Sequence, residues 1–458
     1  MLVGKILSES VNLEEVEVNG WVQTIREQKE FSFIKLNNGS DSQGIQLVIN
    51  NNDVKYENIS TGTSINVKGK MVKSPAKGQE YELVVTELKV LGYTNPEMYP
   101  LSKGRLPLVY LRSYPHLRLR TNTFGAIFRI KSSISFGTHL FFKENGYLHL
   151  DPNILTVNEC EGGAGVFQVT EKDISDLSKL NTIKNTTKYD WNSDHFGKPI
   201  FLTVSSQLQL EALACGMGPV YTTNKSFRSE HSNTNKHLSE FIHLEIENCF
   251  ISLNDLMDLG ESYIKFIGKY LLNNNMDDLK SLDSFVSKGI IDKISLLVNT
   301  NFIRLEYKDA IKLINDSSNL KISYGEDLSS EYENYLTEHY NNVPVFVINW
   351  PISIKSFYMK QNDDNITCSN FDLLMPYKVG ELIGGSMRED NLDKLLNIMK
   401  VKGVDPKPLD FYLDLRRFGT VPHGGFGLGL DRMCMLFTGM ENIKDVVPFP
   451  NYYKNSFC

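Results

Sequence analysis

Near the start of the chain, apolar and polar residues alternate in five short runs, at residues 16–22, 31–36, 45–49, 64–69 and 81–85. A period of two marks half-buried strands, and so many short strands in succession predict a small barrel. Residues 95–107, with Pro100 and Gly104, read as a linker. The period then changes: Phe124, Ile127, Phe128, Ile134 and Phe141 fall near helical spacing and predict a helix over 123–144. It leads into Tyr147-Leu148-His149-Leu150-Asp151-Pro152, where proline marks an edge or a strand end. The polar stretch 173–194 reads as a surface excursion, strand signals resume at 199–204, and 227–247 reads as two strands around a polar loop. Residues 254–344 are mostly helical in pattern, and strands return from Val345. Antiparallel hairpins mixed with helices predict an α+β domain.

Composition narrows the class. With 458 residues the chain exceeds one ordinary core, so two or three domains are expected. Hydrophobic content of 41% and charged content of 22% describe a globular protein. The N-terminus lacks a basic start followed by an apolar run, and no stretch approaches the roughly 20 apolar residues of a membrane span. Cys160, Cys215, Cys249, Cys368, Cys434 and Cys458 are scattered, which suits a reducing cytoplasm and argues against zinc. A net charge of -7 speaks against a nucleic-acid partner, but its distribution does not. Residues 96–132 carry Lys103, Arg105, Arg112, Arg118, Arg120, Arg129 and Lys131 against Glu97 alone. Such a stretch is either a solvated face or a track for a phosphate backbone.

Candidate chemistry centres on arginines. No Gly-rich phosphate loop with its lysine occurs, yet two segments carry arginine on frameworks suited to phosphates. In Phe227-Arg228-Ser229-Glu230, alternation puts Arg228 and Glu230 on one face; Phe241, His243, Glu245 and Glu247 share another, with Ile242, Leu244 and Ile246 turned away. A cation, carboxylates and a ring on one sheet surface suit a nucleotide, although an exposed sheet face with ion pairs has the same pattern. The second segment, Gly424-Gly425-Phe426-Gly427-Leu428-Gly429-Leu430-Asp431-Arg432, allows close backbone approach ahead of an apolar helix; alone it reads equally as a Gly-rich turn. A third, from Gly380-Glu381 to Met387-Arg388, alone reads as a hairpin turn.

Together the three resemble the catalytic motifs of the class II aminoacyl-tRNA synthetases. Arg228 with Glu230 is similar to motif 2, and the run from Gly429 to Arg432 to motif 3. Pro152 after the long helix is similar to motif 1, the dimer-forming element. The resemblance is closest to the asparagine-specific branch of the aspartate-like subgroup, carried by Cys160-Glu161-Gly162-Gly163-Ala164, Thr203-Val204-Ser205-Ser206-Gln207-Leu208, Arg228-Ser229-Glu230-His231-Ser232-Asn233-Thr234 and the C-terminal run through Pro422-His423 to Pro448-Phe449-Pro450. It covers essentially the whole chain.

The resemblance implies a class II antiparallel sheet flanked by helices, preceded by an OB-fold barrel. Its domains would be an anticodon-binding domain at 1–95, a basic hinge at 96–120 and a catalytic domain at 121–458, with insertions near 173–194 and 254–344. The implied activity joins asparagine to ATP, giving asparaginyl-adenylate and pyrophosphate, then moves the acyl group to tRNA(Asn), in a cytoplasmic homodimer without membrane attachment. By resemblance, Arg228 holds the α-phosphate, Arg432 the γ-phosphate, Glu230 the adenine amine and Phe241 the adenine ring; His237, Leu238 and Gly429 complete the ATP site. Glu381, helped by Asp372, would carry Mg²⁺. Glu161, Ser205 and Gln207 would meet the ammonium of asparagine, and Arg388 and Glu245 its side-chain amide. Aspartate-specific relatives carry a lysine where this chain has Leu210. In the barrel, Phe33, Gln46 and Arg26 would meet the central anticodon uridine. The chain departs from the pattern at Asp431, at Lys236 and at Tyr377-Lys378, where one residue is added between Asp372 and Glu381. An aspartyl or relaxed-specificity enzyme is the alternative reading. So is a tRNA-binding paralogue without catalysis, although such paralogues lose motif arginines and Arg228, Arg388 and Arg432 all remain.

Overall fold

Alternation near the N-terminus closes into the expected barrel. Strands β1 (Val16–Glu27), β2 (Phe31–Asn37), β3 (Ile45–Asn50), β4 (Ser64–Lys73) and β5 (Tyr81–Gly92) pair in the order β1-β2-β3-β5-β4. Val18, Ile34, Leu36, Leu47, Ile65, Val67 and Leu83 fill the interior. Since Ser32, Ile34 and Leu36 point inward, Phe31, Phe33 and Lys35 belong to the outer face. A side chain at Gly69 would collide with the Val84 carbonyl, so this glycine is what lets β4 and β5 approach.

The structure, a computed structural model, describes residues 1–8, 15–75, 79–101, 104, 106–157 and 165–457. The chain divides into two compact units, residues 1–132 with 275–291, and residues 133–274 with 292–458. In the first, the basic stretch is neither a free solvated face nor an open track. Arg118 is fully buried with its guanidinium over Phe124, Arg120 lies over Trp21, and Arg129 donates to Asp278 at 2.7 Å. Lys103 and Arg105 lie outside the described residues.

In the second unit, β6 (Leu148–His149) is followed by a small sheet of β7 (Leu155–Thr156), β8 (Gln168–Val169) and β9 (Ile200–Leu202). The main sheet adds β10 (Val220–Phe227), β11 (Glu240–Cys249), β12 (Ile303–Glu306), β13 (Val345–Ile348), β14 (Asn370–Met375), β15 (Gly380–Met387) and β16 (His423–Gly429). Its order is β12-β13-β14-β15-β16-β11-β10-β6. Pairing is antiparallel from β13 through β10 and parallel at the two outer pairs. Residues 254–344 are mostly helical as expected, with β12 the interruption.

Three local expectations change. Arg228 and Glu230 stand in the loop beyond β10, not alternating along a strand. The stretch 380–387 is strand β15, and the hairpin turn precedes it. The glycine run is no turn but strand β16, at the centre of the sheet. Glycine carries no hydrophobic signal, so an alternation of Gly with Phe and Leu hides a strand inside what looks like loop composition. Gly425, Gly427 and Gly429 occupy one face; Phe426 and Leu428 occupy the other and are buried.

That second face is the core. Phe426 packs towards Phe371, which meets Phe346 edge-on at 5.3 Å. Gly385 makes room, because a Cβ there would collide with the Phe371 ring. The helix Leu253–Asn274 covers this face with Leu256, Gly260 and Ile264, and a Cβ on Gly260 would lie 3.4 Å from Ile383 Cδ1. Phe426→Ala is expected to cost about 3–5 kcal/mol through the cavity left beneath the glycine strand. Chemical denaturation of the variant against the wild type checks it.

Candidate functional site

The face opposite Phe426 and Leu428 forms the floor of the site. Cross-strand register aligns Glu245 (β11), Gly427 (β16), Gly384 (β15) and Asp372 (β14) in one row; Glu247, Gly425, Ser386 and Asn370 form the row beside it. Paired residues in antiparallel strands share a face, so bare backbone at the centre is flanked by carboxylates. A Cβ on Gly427 would lie 2.6 Å from His243 Nε2, and one on Gly425 would meet Glu247. Only glycine fits these positions.

Above this floor is a cavity of about 180 Å³. Its walls bring together Arg228, Glu230, His237, Leu238, Phe241, Glu381, Gly429 and Arg432, every residue the sequence assigned to a nucleotide. Lys236, His243, Gly384, Gly427, Asp431 and Ile443 join them. Arg228 follows β10 and lies over the Phe241 ring at 5.6 Å. Gly429 caps the helix Leu430–Thr438, whose first turn carries Arg432, and Arg432 donates to the Glu381 carbonyl at 2.8 Å. Three cations, Arg228, Lys236 and Arg432, line the basin together with the carboxylates of Glu230, Glu381 and Asp431. Burial lowers the pKa of His237, and Arg432, Arg228 and Lys236 lower it further against the pull of Glu230. Burial likewise lowers Lys236, opposed by Glu333 and helped by Arg432. Clustered cations with backbone N–H groups at a helix start make an anion site.

Glu381 and Asp372 reach the same point although sequence alternation would separate them. A bulge falls between Leu373 and Leu374: Leu373 pairs with Ile383 and Leu374 with Glu381, leaving Leu382 as the extra residue. The bulge inverts the alternation, so Glu381 shares the face of Gly384 and Asp372. A Cβ on Gly384 would lie 3.1 Å from Glu381 Oε1 and 3.8 Å from Asp372 Oδ1. Tyr377 and Lys378 form the turn before β15, where both adopt positive φ, 62° and 65°. Asp372 is tied to Lys355 at 2.5 Å; burial, with Glu381 nearby, pushes its carboxyl up to about 7 against that lysine. Beside Glu381 lies Glu333, pushed up to about 7 by burial and then by Glu381, against Lys236.

Next to the cavity lies a buried polar network holding the residues assigned to asparagine. Glu245 accepts from the Ser205 hydroxyl and from Ser206 N–H at 2.9 Å, and meets His243 Nδ1 at 3.5 Å. Arg388 is held by Glu247 through Nε at 3.0 Å and through Nη2, while Nη1 donates to Ser386 Oγ at 2.7 Å. Its carboxylate partner is Glu247, a residue given no role from the sequence. Gln207 does not face the cavity; it donates to Glu211 at 3.0 Å. Glu161 lies outside the described residues. Leu210 is fully buried in an apolar cluster, so no cation stands there.

Glu211 anchors this network. It accepts from Arg416 at 3.0 Å, meets His423 Nε2 at 3.1 Å and lies 3.7 Å from Arg388. Burial would raise its carboxyl, but Arg416, His423 and Arg388 hold it well below the usual range. Burial pushes Glu247 up to about 7 against Arg388, with Glu211 adding to the rise. Sequence reasoning missed Glu211, although it follows Gln207 by four residues and so shares its helix face. It also missed Lys355, which nothing local announces. On the barrel, Arg26 pairs with Phe33 across β1 and β2, and Gln46 on β3 pairs with Lys35, so the three assigned residues share the outer face.

Antiparallel sheet, glycine floor and paired arginines define a class II tRNA synthetase catalytic domain. The family model "tRNA synthetases class II (D, K and N)" matches residues 109–453, and that for an OB-fold nucleic acid binding domain matches 16–91. The chain is 42% identical to the asparagine–tRNA ligase of Borreliella burgdorferi, covering 99% of this chain and 98% of the relative. It is 41% identical to that of Vibrio vulnificus, covering 100% and 98%. A solved asparaginyl-tRNA synthetase from Pyrococcus horikoshii, complexed with asparaginyl-adenylate, superposes with TM-score 0.86 at 28% identity over 100% of this chain and 99% of that one. The chain belongs to the asparagine–tRNA ligases of this class.

The network carries a pH signature. Both ring nitrogens of His423 face acceptors, Glu211 and the Val421 carbonyl at 2.8 Å, which suits an imidazolium. Burial lowers its pKa, but hydrogen bonding to Glu211 outweighs this and the net shift is upward. A raised folded pKa means stability that is full below the ordinary value of about 6.5 and is lost as pH rises through the folded value. Melting temperatures from about pH 6 to about pH 9 should show this decline in the wild type, and His423→Gln should show a shallower one, left by the raised carboxyls of Glu247, Asp372 and Glu333.

Proposed function

We propose that this chain attaches asparagine to tRNA(Asn) in two steps at the glycine-floored cavity. The carrying observation is that Arg228 and Arg432, on segments following the strands that flank β11, enter one cavity with Glu381. In the first step the asparagine carboxylate attacks the α-phosphorus of ATP, and the bond to pyrophosphate breaks. Arg228 meets the α-phosphate as charge builds there, and Arg432 holds the γ-phosphate of a bent chain. Phe241 stacks on the adenine and Glu230 accepts from its amine, with His237, Leu238 and Gly429 as neighbours. No protein base is needed, since the attacking carboxylate is already ionised. In the second step a ribose hydroxyl at the tRNA 3′-end attacks the acyl carbon, and AMP leaves.

Glu381 and Asp372 suit Mg²⁺: they are hard oxygen donors converging at Gly384, and Mg²⁺ shared with substrate phosphates needs one or two protein carboxylates. The ion would neutralise phosphate charge. Arg388, oriented by Glu247 and Ser386, would donate to the asparagine amide oxygen, and Glu245 would accept from its NH₂. Ser205 and Gln207 lie on the ammonium side, Gln207 acting through Glu211. An aspartate carboxylate beside Glu245 would bury like charges without a donor. Arg228→Ala should lower asparagine-dependent ATP–pyrophosphate exchange by roughly 10²–10³-fold. Wild-type exchange should prefer asparagine over aspartate by on the order of 10⁴-fold. Comparable exchange with aspartate would favour the relaxed-specificity reading instead.

Phe33, Arg26 and Gln46 on the outer barrel face would meet the anticodon, the ring by stacking. Substituting Phe33 with alanine and measuring KM for tRNA separately from exchange tests that role. A homodimer is supported by exposed apolar residues around the motif-1 elements: Phe136 at 63%, Leu148 at 43% and Leu155 at 42%. Phe136→Asp should shift the mass in analytical ultracentrifugation from dimer to monomer. The cytoplasm is the proposed setting. Cys215, Cys249 and Cys368 are free thiols, and among the described residues no helix is long and apolar enough to cross a membrane. Recovery in a membrane fraction would contradict this.

A further inference from the structure

The helix Ser330–His339 belongs to the helical stretch between β12 and β13, far in sequence from every motif above. Its Glu333 nevertheless reaches the start of β15. Gly380 takes a positive φ of 73° there; a Cβ on it would collide with Glu333 Oε2 and lie 2.8 Å from Lys236 Nζ. Glu333 and Lys236 therefore converge on one point. The Glu333 carboxylate lies against the main chain at Gly380, facing the Glu381 backbone N–H, while the Glu381 carbonyl accepts from Arg432 Nη1 at 2.8 Å. The main chain of Glu381 is thus held on both sides, by an anion from the inserted helix and by a cation of the cavity. Lys236 also reaches Ser330 Oγ at 3.4 Å on the same helix.

We infer that Glu333 is a positioning residue for the nucleotide half of the site: it fixes the main chain from which Glu381 projects and holds Lys236 at the cavity wall. The inference rests on reading the cavity as the ATP site. Removing the carboxylate leaves the Glu381 N–H without its acceptor and leaves Lys236 among Arg228 and Arg432 without a counter-charge. Arg388 and Glu245 are held by Glu247, Ser386, Ser205 and Ser206 and not by Glu333, so the damage should be confined to ATP and Mg²⁺.

Pyrophosphate exchange at about pH 8, with ATP, Mg²⁺ and asparagine varied separately, tests this in Glu333→Ala and Glu333→Gln. In the alanine variant KM for ATP and the Mg²⁺ midpoint should each rise roughly tenfold, the loss typical of a support behind a ligand, while KM for asparagine stays within about twofold. The glutamine variant keeps an oxygen for the Glu381 N–H, so its Mg²⁺ midpoint should stay near wild type while KM for ATP still rises. ATP and Mg²⁺ values within about twofold of wild type in both variants would overturn the inference, as would a parallel rise in KM for asparagine. If the alanine variant does not fold, the glutamine variant decides by its KM for ATP. If the wild type shows no asparagine-dependent exchange, the functional reading fails, and direct titration with Mg·ATP still decides the role of Glu333.

Discussion

A central β-strand normally carries side chains on both faces, and here one face of β16 carries none. Gly425, Gly427 and Gly429 leave bare backbone where neighbouring strands crowd in, while Phe426 and Leu428 anchor the same strand in the core. This one-sidedness is a constraint on everything around it. His243 and Glu247 can lie over the strand because no Cβ is there. The adjoining glycines, Gly384 and Gly385, serve the two faces separately: Gly384 clears space for two carboxylates, and Gly385 admits the Phe371 ring. A strand so depleted of side chains has little intrinsic preference to be extended. It is held by its neighbours β15 and β11 and by the helix behind it.

Charge is sorted along this floor. One end gathers Arg228, Arg432 and Lys236 around an open cavity, cations that a polyanion can bridge. The other end matches Glu211 and Glu247 against Arg388, Arg416 and His423 with nearly every donor and acceptor engaged. The first arrangement suits a ligand that brings charge. The second suits a neutral side chain read by geometry, because an extra charge would unbalance a buried set. Glu381 and Asp372 stand between the two.

Much of this was legible in residue order, and the failures have identifiable causes. The barrel was plain because its interior is aliphatic and alternates strictly. The cavity residues were legible because two arginine segments and a carboxylate recur in a known combination. Strand β16 was hidden because glycine looks the same in a loop and in a strand that must be bare. That Glu381 and Asp372 act together was expected from the resemblance, but the bulge that brings them to one face is a backbone event that no side chain announces. The basic stretch misled in the other direction: Arg118, Arg120 and Arg129 lie on rings or pair with Asp278, uses that a tally of charge does not reveal. Lys355 and Glu333 come from distant segments, and only the folded chain brings them to the site.

The bulge at Leu382 has a consequence for how such a chain tolerates change. It lies on the strand side of Glu381, while the turn at Tyr377-Lys378 lies on the other. The direction of the Glu381 side chain is therefore set by pairing inside the sheet and is insulated from the length of the hairpin tip. A change of one residue at that tip need not rotate the carboxylate out of the site. Variation is channelled into the turn, and the chemistry keeps its phase.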